Sequence, residues 1–141
     1  MSALHTVVAI LALVGGVSMA AQDSVCAGDV KEAATDFRFT EGPVWHPDEY
    51  IIFSDIPANT IYALKDGEKE VYRRPSGGSN GLTFDSHGML VACEHGNRRV
   101  SITREGGNVD TLAGRYEGKR LNSPNDLVVK SDGSVYFTDP P

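Results

Sequence analysis

Glu41-Gly-Pro-Val-Trp45 with Ile52-Phe-Ser-Asp55, Asn80-Gly-Leu-Thr-Phe84 with Val91-Ala-Cys-Glu94, and Asn125-Asp-Leu-Val-Val129 with Tyr136-Phe-Thr-Asp139 are three copies of one unit. In each, a polar residue opens an apolar run, and an acidic residue closes the next run fourteen positions later. The turn clusters His46-Pro-Asp-Glu49, Asp85-Ser-His-Gly88 and Lys130-Ser-Asp-Gly133 separate the two runs. β-Branched and aromatic residues on either side of such clusters predict a β-hairpin in every copy. Gly88 and Gly133 share a repeat position where the turn calls for positive φ, and Glu49 stands at that position in the first copy. A side chain there implies either a different turn or local strain of about 1 kcal/mol.

The first two copies continue into a second hairpin. Thr60-Ile-Tyr-Ala-Leu64 and Glu70-Val-Tyr-Arg73 flank Asp66-Gly67, and Arg99-Val-Ser-Ile-Thr103 and Val109-Asp-Thr-Leu112 flank Gly106-Gly107. Four strands recurring every 39 and then 45 residues are the period of a β-propeller blade, and no WD or kelch signature is present. The expected fold class is therefore all-β, with about two and a half blades in this chain, because the third copy reaches only its second strand at Asp139. A blade covers its apolar faces only against neighbouring blades. The chain thus reads as the N-terminal part of a propeller.

Composition limits the partners. Forty per cent hydrophobic and 23% charged residues suit a globular domain. A net charge of −6 with no basic stripe argues against nucleic acid, and no long apolar run after the N-terminus argues against a membrane span. A small molecule is the expected partner. Residues 1–20 read as a signal peptide: Val7 to Val14 form an apolar run too short to span a bilayer, and Ser18-Met-Ala20 precedes the expected cut. The alternative is a retained anchor. Export predicts a secreted or periplasmic protein, with 21–36 as a lead segment and 37–141 as the partial propeller. An oxidising compartment would let Cys26 and Cys93 pair, while Cys93 as a small buried hydrophobe is the alternative.

Propeller geometry places the first strand of each blade on the central channel. Glu41, Asn80 and Asn125 then open three inner strands at one mouth, with Asp55, Glu94 and Asp139 beside them. Carboxylate and amide oxygens suit a hard divalent cation such as calcium, whereas zinc would call for histidine or cysteine. The competing reading is that such residues bond local backbone at strand ends. Asn59, the stretch His95-Gly-Asn-Arg-Arg99 and the loop Arg115 to Ser123 fall on the rim of the same mouth, and could hold an anionic or polyhydroxyl ligand. His46 and His87 fall in turns on the opposite face, leaving His95 placed for acid-base work.

Phe39-Thr-Glu41-Gly-Pro-Val-Trp45, Ser54-Asp-Ile-Pro57, Ser79-Asn80-Gly-Leu-Thr-Phe-Asp85, Ala92-Cys-Glu-His95-Gly-Asn-Arg-Arg99 and Lys119-Arg-Leu-Asn-Ser-Pro-Asn125-Asp126 resemble the gluconolactonase and senescence-marker-protein (regucalcin) family. The similarity runs from about Phe37 to the end. It implies a six-bladed propeller with a divalent cation, usually calcium, that hydrolyses a sugar lactone. The same resemblance makes Glu41 a metal ligand and Asn125 a metal ligand or substrate contact, with Asn80 and His95 orienting substrate. The family's remaining metal-binding residues and its general base belong to later blades, so no catalytic base is assigned here. A strictosidine-synthase-like or purely ligand-binding propeller, and an inactive incomplete product, are the alternatives.

Overall fold

The computed structural model describes residues 28–141. The expected signal peptide and Cys26 lie outside the described residues. Two four-stranded antiparallel sheets follow one another along the chain. The first comprises β1 (Thr40–His46), β2 (Tyr50–Asp55), β3 (Thr60–Lys65) and β4 (Glu68–Arg73), in that spatial order. The second comprises β5 (Ser79–Phe84), β6 (Leu90–Glu94), β7 (Arg99–Thr103) and β8 (Val109–Ala113), again in order. A small hairpin of β9 (Arg115–Tyr116) and β10 (Lys119–Arg120) leads to the pair β11 (Leu127–Val129) and β12 (Val135–Phe137). These are two complete blades and the inner half of a third: β1 neighbours β5, and β5 neighbours β11, so the first strands stand side by side around one axis.

Burial follows position within the blade. Strands β2 and β6 are covered on both faces, which explains their near-continuous apolar sequences, while most of β4 faces solvent. Because alternate residues point to opposite faces, Ile52, Ile61 and Ala63 meet Leu82, Leu90 and Ala92 in the seam between the first two blades. Val91, Cys93, Val100 and Ile102 meet Leu127 in the next seam. On the other face of the first blade, Ile51, Phe53 and Leu64 pack against Phe37, with Ala33 and Ala34 beside them. Phe37 stands edge-on to Phe53 at 4.9 Å. Ala33 and Ala34, the end of the lead segment, therefore pack on the first blade.

The turn at Glu49 has the same geometry as its two glycine counterparts. Glu49 N donates to His46 O at 2.9 Å, Gly88 N to Asp85 O at 3.1 Å and Gly133 N to Lys130 O at 2.9 Å. The φ values are 65°, 75° and 87°. Of the two possibilities, strain is the one observed. Cys93 is fully buried, and burial, followed by the negative charges of Asp126 and Asp139, pushes its thiol up to about 12.

Candidate functional site at the channel mouth

The inner strands approach one another more closely than side chains permit. A Cβ on Gly42 would lie 2.2 Å from the Asn80 carbonyl oxygen, and one on Gly81 would lie 2.7 Å from the Asp126 Cα. The amide of Gly81 donates to Asn125 O at 2.7 Å, and Ser54 Oγ donates to Asn80 O at 2.9 Å. The glycine that follows Glu41 and the one that follows Asn80 therefore let the backbones touch. Both positions lie within register shifts of the ladder, between Glu41 and Val44 and between Ser79 and Leu82. A bulge of this kind frees the flanking side chain from the regular pleat.

Three of the expected site residues are brought together by this arrangement. Glu41, Asn80 and Asn125 open adjacent inner strands, and among the described residues none of their side chains makes a hydrogen bond or ion pair. His95 is exposed at the end of β6, where its amide donates to Gly78 O at 3.1 Å. Its Nδ1 lies 3.5 Å from Ser123 Oγ, a partner that sequence reading placed on the rim without pairing it.

The acidic residues that close each hairpin are bound into the fold, which corrects the expectation that Asp55, Glu94 and Asp139 offer free oxygens beside the mouth. Asp55 accepts the backbone N–H groups of Arg38 and Phe39 at 3.0 and 3.2 Å. Asp139 accepts those of Asn122 and Ser123 at 2.9 and 2.8 Å. Both carboxylates thus fasten the residues entering their own blade, at the same offsets in sequence. Glu94 is one methylene longer, is 1% exposed, and turns into the interior of the structure. There it pairs with Arg73 at 3.0 Å and Arg99 at 2.7 Å, and accepts hydrogen bonds from Ser101 and Asn97. Burial raises its carboxyl, but the hydrogen bonds from Arg99, Ser101 and Asn97 and the charge of Arg73 outweigh that and hold it below the usual carboxylate range.

Most of the expected rim ligands are likewise committed to the fold. Asn59 Oδ1 accepts from Ser76 N, Ser76 Oγ and Gly78 N, at 3.1, 3.2 and 2.9 Å, clamping the connection between the first two blades. Arg98 Nε donates to Leu121 O, and Arg120 donates to Asn97 O at 3.0 Å. Sequence reading places Arg73 only at the end of a strand and misses its pairing with Glu94. Its signal is indirect: a carboxylate expected in a buried strand needs a cation, and the preceding blade supplies it.

The donor set at the mouth, one carboxylate and two amide oxygens left unpartnered, has the hard-oxygen chemistry that calcium accepts. Among the described residues no group of three or more His, Cys, Asp or Glu could hold a metal ion.

The model of the SMP-30/gluconolactonase/LRE-like region matches residues 39–141. A gluconolactonase of Zymomonas mobilis is 34% identical over 131 residues, covering 79% of this chain and 36% of that protein. The solved structure of a gluconolactonase from Xanthomonas campestris superposes with a TM-score of 0.71 at 39% identity, covering 74% of this chain and 36% of the other. A further crystal structure assigned to the gluconolactonases gives 0.72 at 43% identity, covering 77% of this chain and 38% of the other. The chain therefore spans 36–38% of the length of these relatives. With the family's region matched from the first blade to the last strand described, the chain belongs to the SMP-30/gluconolactonase/LRE-like family.

Proposed function

We propose that this chain contributes the opening blades of an exported hydrolase that opens a sugar lactone with the help of a divalent cation, calcium being the best match to the ligands. The observation that carries the reading is the trio of unpartnered oxygen-bearing side chains, Glu41, Asn80 and Asn125, on neighbouring inner strands. The gluconolactonases among its relatives supply the substrate class.

Glu41 and Asn125 would hold the cation, and Asn80 and His95 would orient the lactone. When bound, such an ion polarises a carbonyl and stabilises the oxyanion that hydrolysis develops. Glu41 brings the charge that makes this mouth attractive to a cation, and the asparagines bring neutral oxygens that leave the ion's charge only partly cancelled. His95, exposed beside Ser123, lies within reach of a ligand at the rim.

The test is hydrolysis of D-glucono-1,5-lactone, with calcium and with a chelator. It should be run on this chain, on a form extended to a complete ring of blades, and on Glu41→Gln in that extended form. Calcium-dependent turnover that Glu41→Gln lowers about 10²-fold or more supports the proposal. No turnover by the extended form would leave a binding propeller as the better reading. Export rests on Val7 to Val14 and the Ser18-Met-Ala20 pattern. It is checked by sequencing the N-terminus of secreted protein, which should begin at Ala21.

A further inference from the structure

Between the first and second blades lies a cleft of about 410 Å³ that none of Glu41, Asn80 and Asn125 lines, and whose polar lining is Asn59, Arg73, Arg74, Glu94, Asn97 and Arg99. Three guanidiniums stand against one carboxylate. That carboxylate is already saturated: its two oxygens take Arg73, Arg99, Ser101 and Asn97. Arg73 has a side chain 10% exposed, and its Nε is buried without a hydrogen-bond partner among the described residues. Arg74 donates to Thr60 Oγ1 at 2.7 Å and to Tyr62 OH at 3.3 Å. It also borders a neighbouring cleft with Asp36 and Asp55, so Arg73 and Arg99 are the pair committed to this one.

Arg73 also donates to Thr103 Oγ1 at 3.1 Å and to Ser76 O at 2.9 Å, and Arg99 to Thr111 Oγ1 at 3.0 Å, so what the lining lacks is negative charge, in a place partly sheltered from water. Arg73 and Arg99 repel each other across it, in addition to the desolvation that already pushes Arg73 down. A ligand that carries negative charge would offset that excess of positive charge, and planar guanidinium forks are suited to oxyanions. We propose that this inter-blade cleft binds a small oxyanion, a phosphate or a carboxylate.

Isothermal titration of the 141-residue chain with inorganic phosphate, and separately with acetate, tests this against chloride at matched ionic strength. Saturable binding of one anion per chain is expected, and the tighter of the two identifies the source. Arg99→Gln should weaken it about tenfold. Arg74→Gln, on the exposed side, should weaken it less while leaving the far-ultraviolet circular dichroism unchanged. No binding beyond the chloride reference, or binding that neither substitution weakens, overturns the proposal.

Discussion

At residue scale, the acidic position that ends the second strand shows how one methylene changes a role. As aspartate, in Asp55 and Asp139, it reaches only the backbone entering its own blade. As glutamate it crosses to Arg73 of the preceding blade. Replacing Glu94 by Gln leaves the largely buried Arg73 and the partly exposed Arg99 without their counter-charge, and a loss of about 3 kcal/mol is expected, read by chemical denaturation. The same contact sets an acid limit. Because the folded carboxyl is held below its unfolded value, its contribution is complete above roughly pH 4.3, and it is lost as pH falls through the folded value. Wild type should therefore lose melting temperature more steeply than Glu94→Gln on acidification below that point. Glu49 carries the opposite kind of prediction. At φ 65° it occupies a glycine position, and Glu49→Gly should stabilise by about 1 kcal/mol, read as a higher denaturation midpoint.

At the scale of the element, the inner strands depend on glycine where they meet. Gly42 combines φ 55° with a backbone carbonyl 2.2 Å from its missing Cβ, so no rotamer relieves a side chain there. Gly42→Ala should cost more than about 2 kcal/mol and displace Glu41 with it, so cation affinity should fall alongside stability. Gly88 has positive φ but open space around it. Gly88→Ala should therefore cost only about 1 kcal/mol and leave cation affinity unchanged. The hairpins and strand order of the blades were legible in the repeat, since each rests on local propensity and a two-residue alternation, whereas the short hairpin of β9 and β10 lies in a stretch that read as a loop, outside the repeat. The bulges were not legible. They arise where one blade's backbone presses on the next, and nothing within a single hairpin announces that contact.

At the scale of the whole molecule, large apolar side chains stand exposed at both ends of the row of blades. Trp45 on the first blade is 58% exposed, and Val128 and Tyr136 on the third are 62% and 59% exposed. The corresponding faces between consecutive blades are closed seams, so these outer ones have the character of interfaces awaiting a neighbour. The 141-residue chain should bind a hydrophobic dye strongly and self-associate in light scattering. Extension to a full ring should reduce both and quench the solvent-exposed emission of Trp45, and an unchanged dye signal would count against a ring that covers these faces. No helix among the described residues is long and apolar enough to cross a membrane.

The amino-acid sequence by itself determined the blade. Period, turn residues and alternation fix a four-stranded unit, and the polar residues that open each inner strand follow from the same register. Tertiary structure decided which oxygens remain free. Asp55, Asp139 and Glu94 look like Glu41 in a one-dimensional pattern, yet the first two are claimed by backbone N–H groups and the third by arginines. Hydrogen-bond satisfaction of buried groups depends on what lies across a seam, and a partner there is far away in the chain: Arg73 lies 21 positions from Glu94.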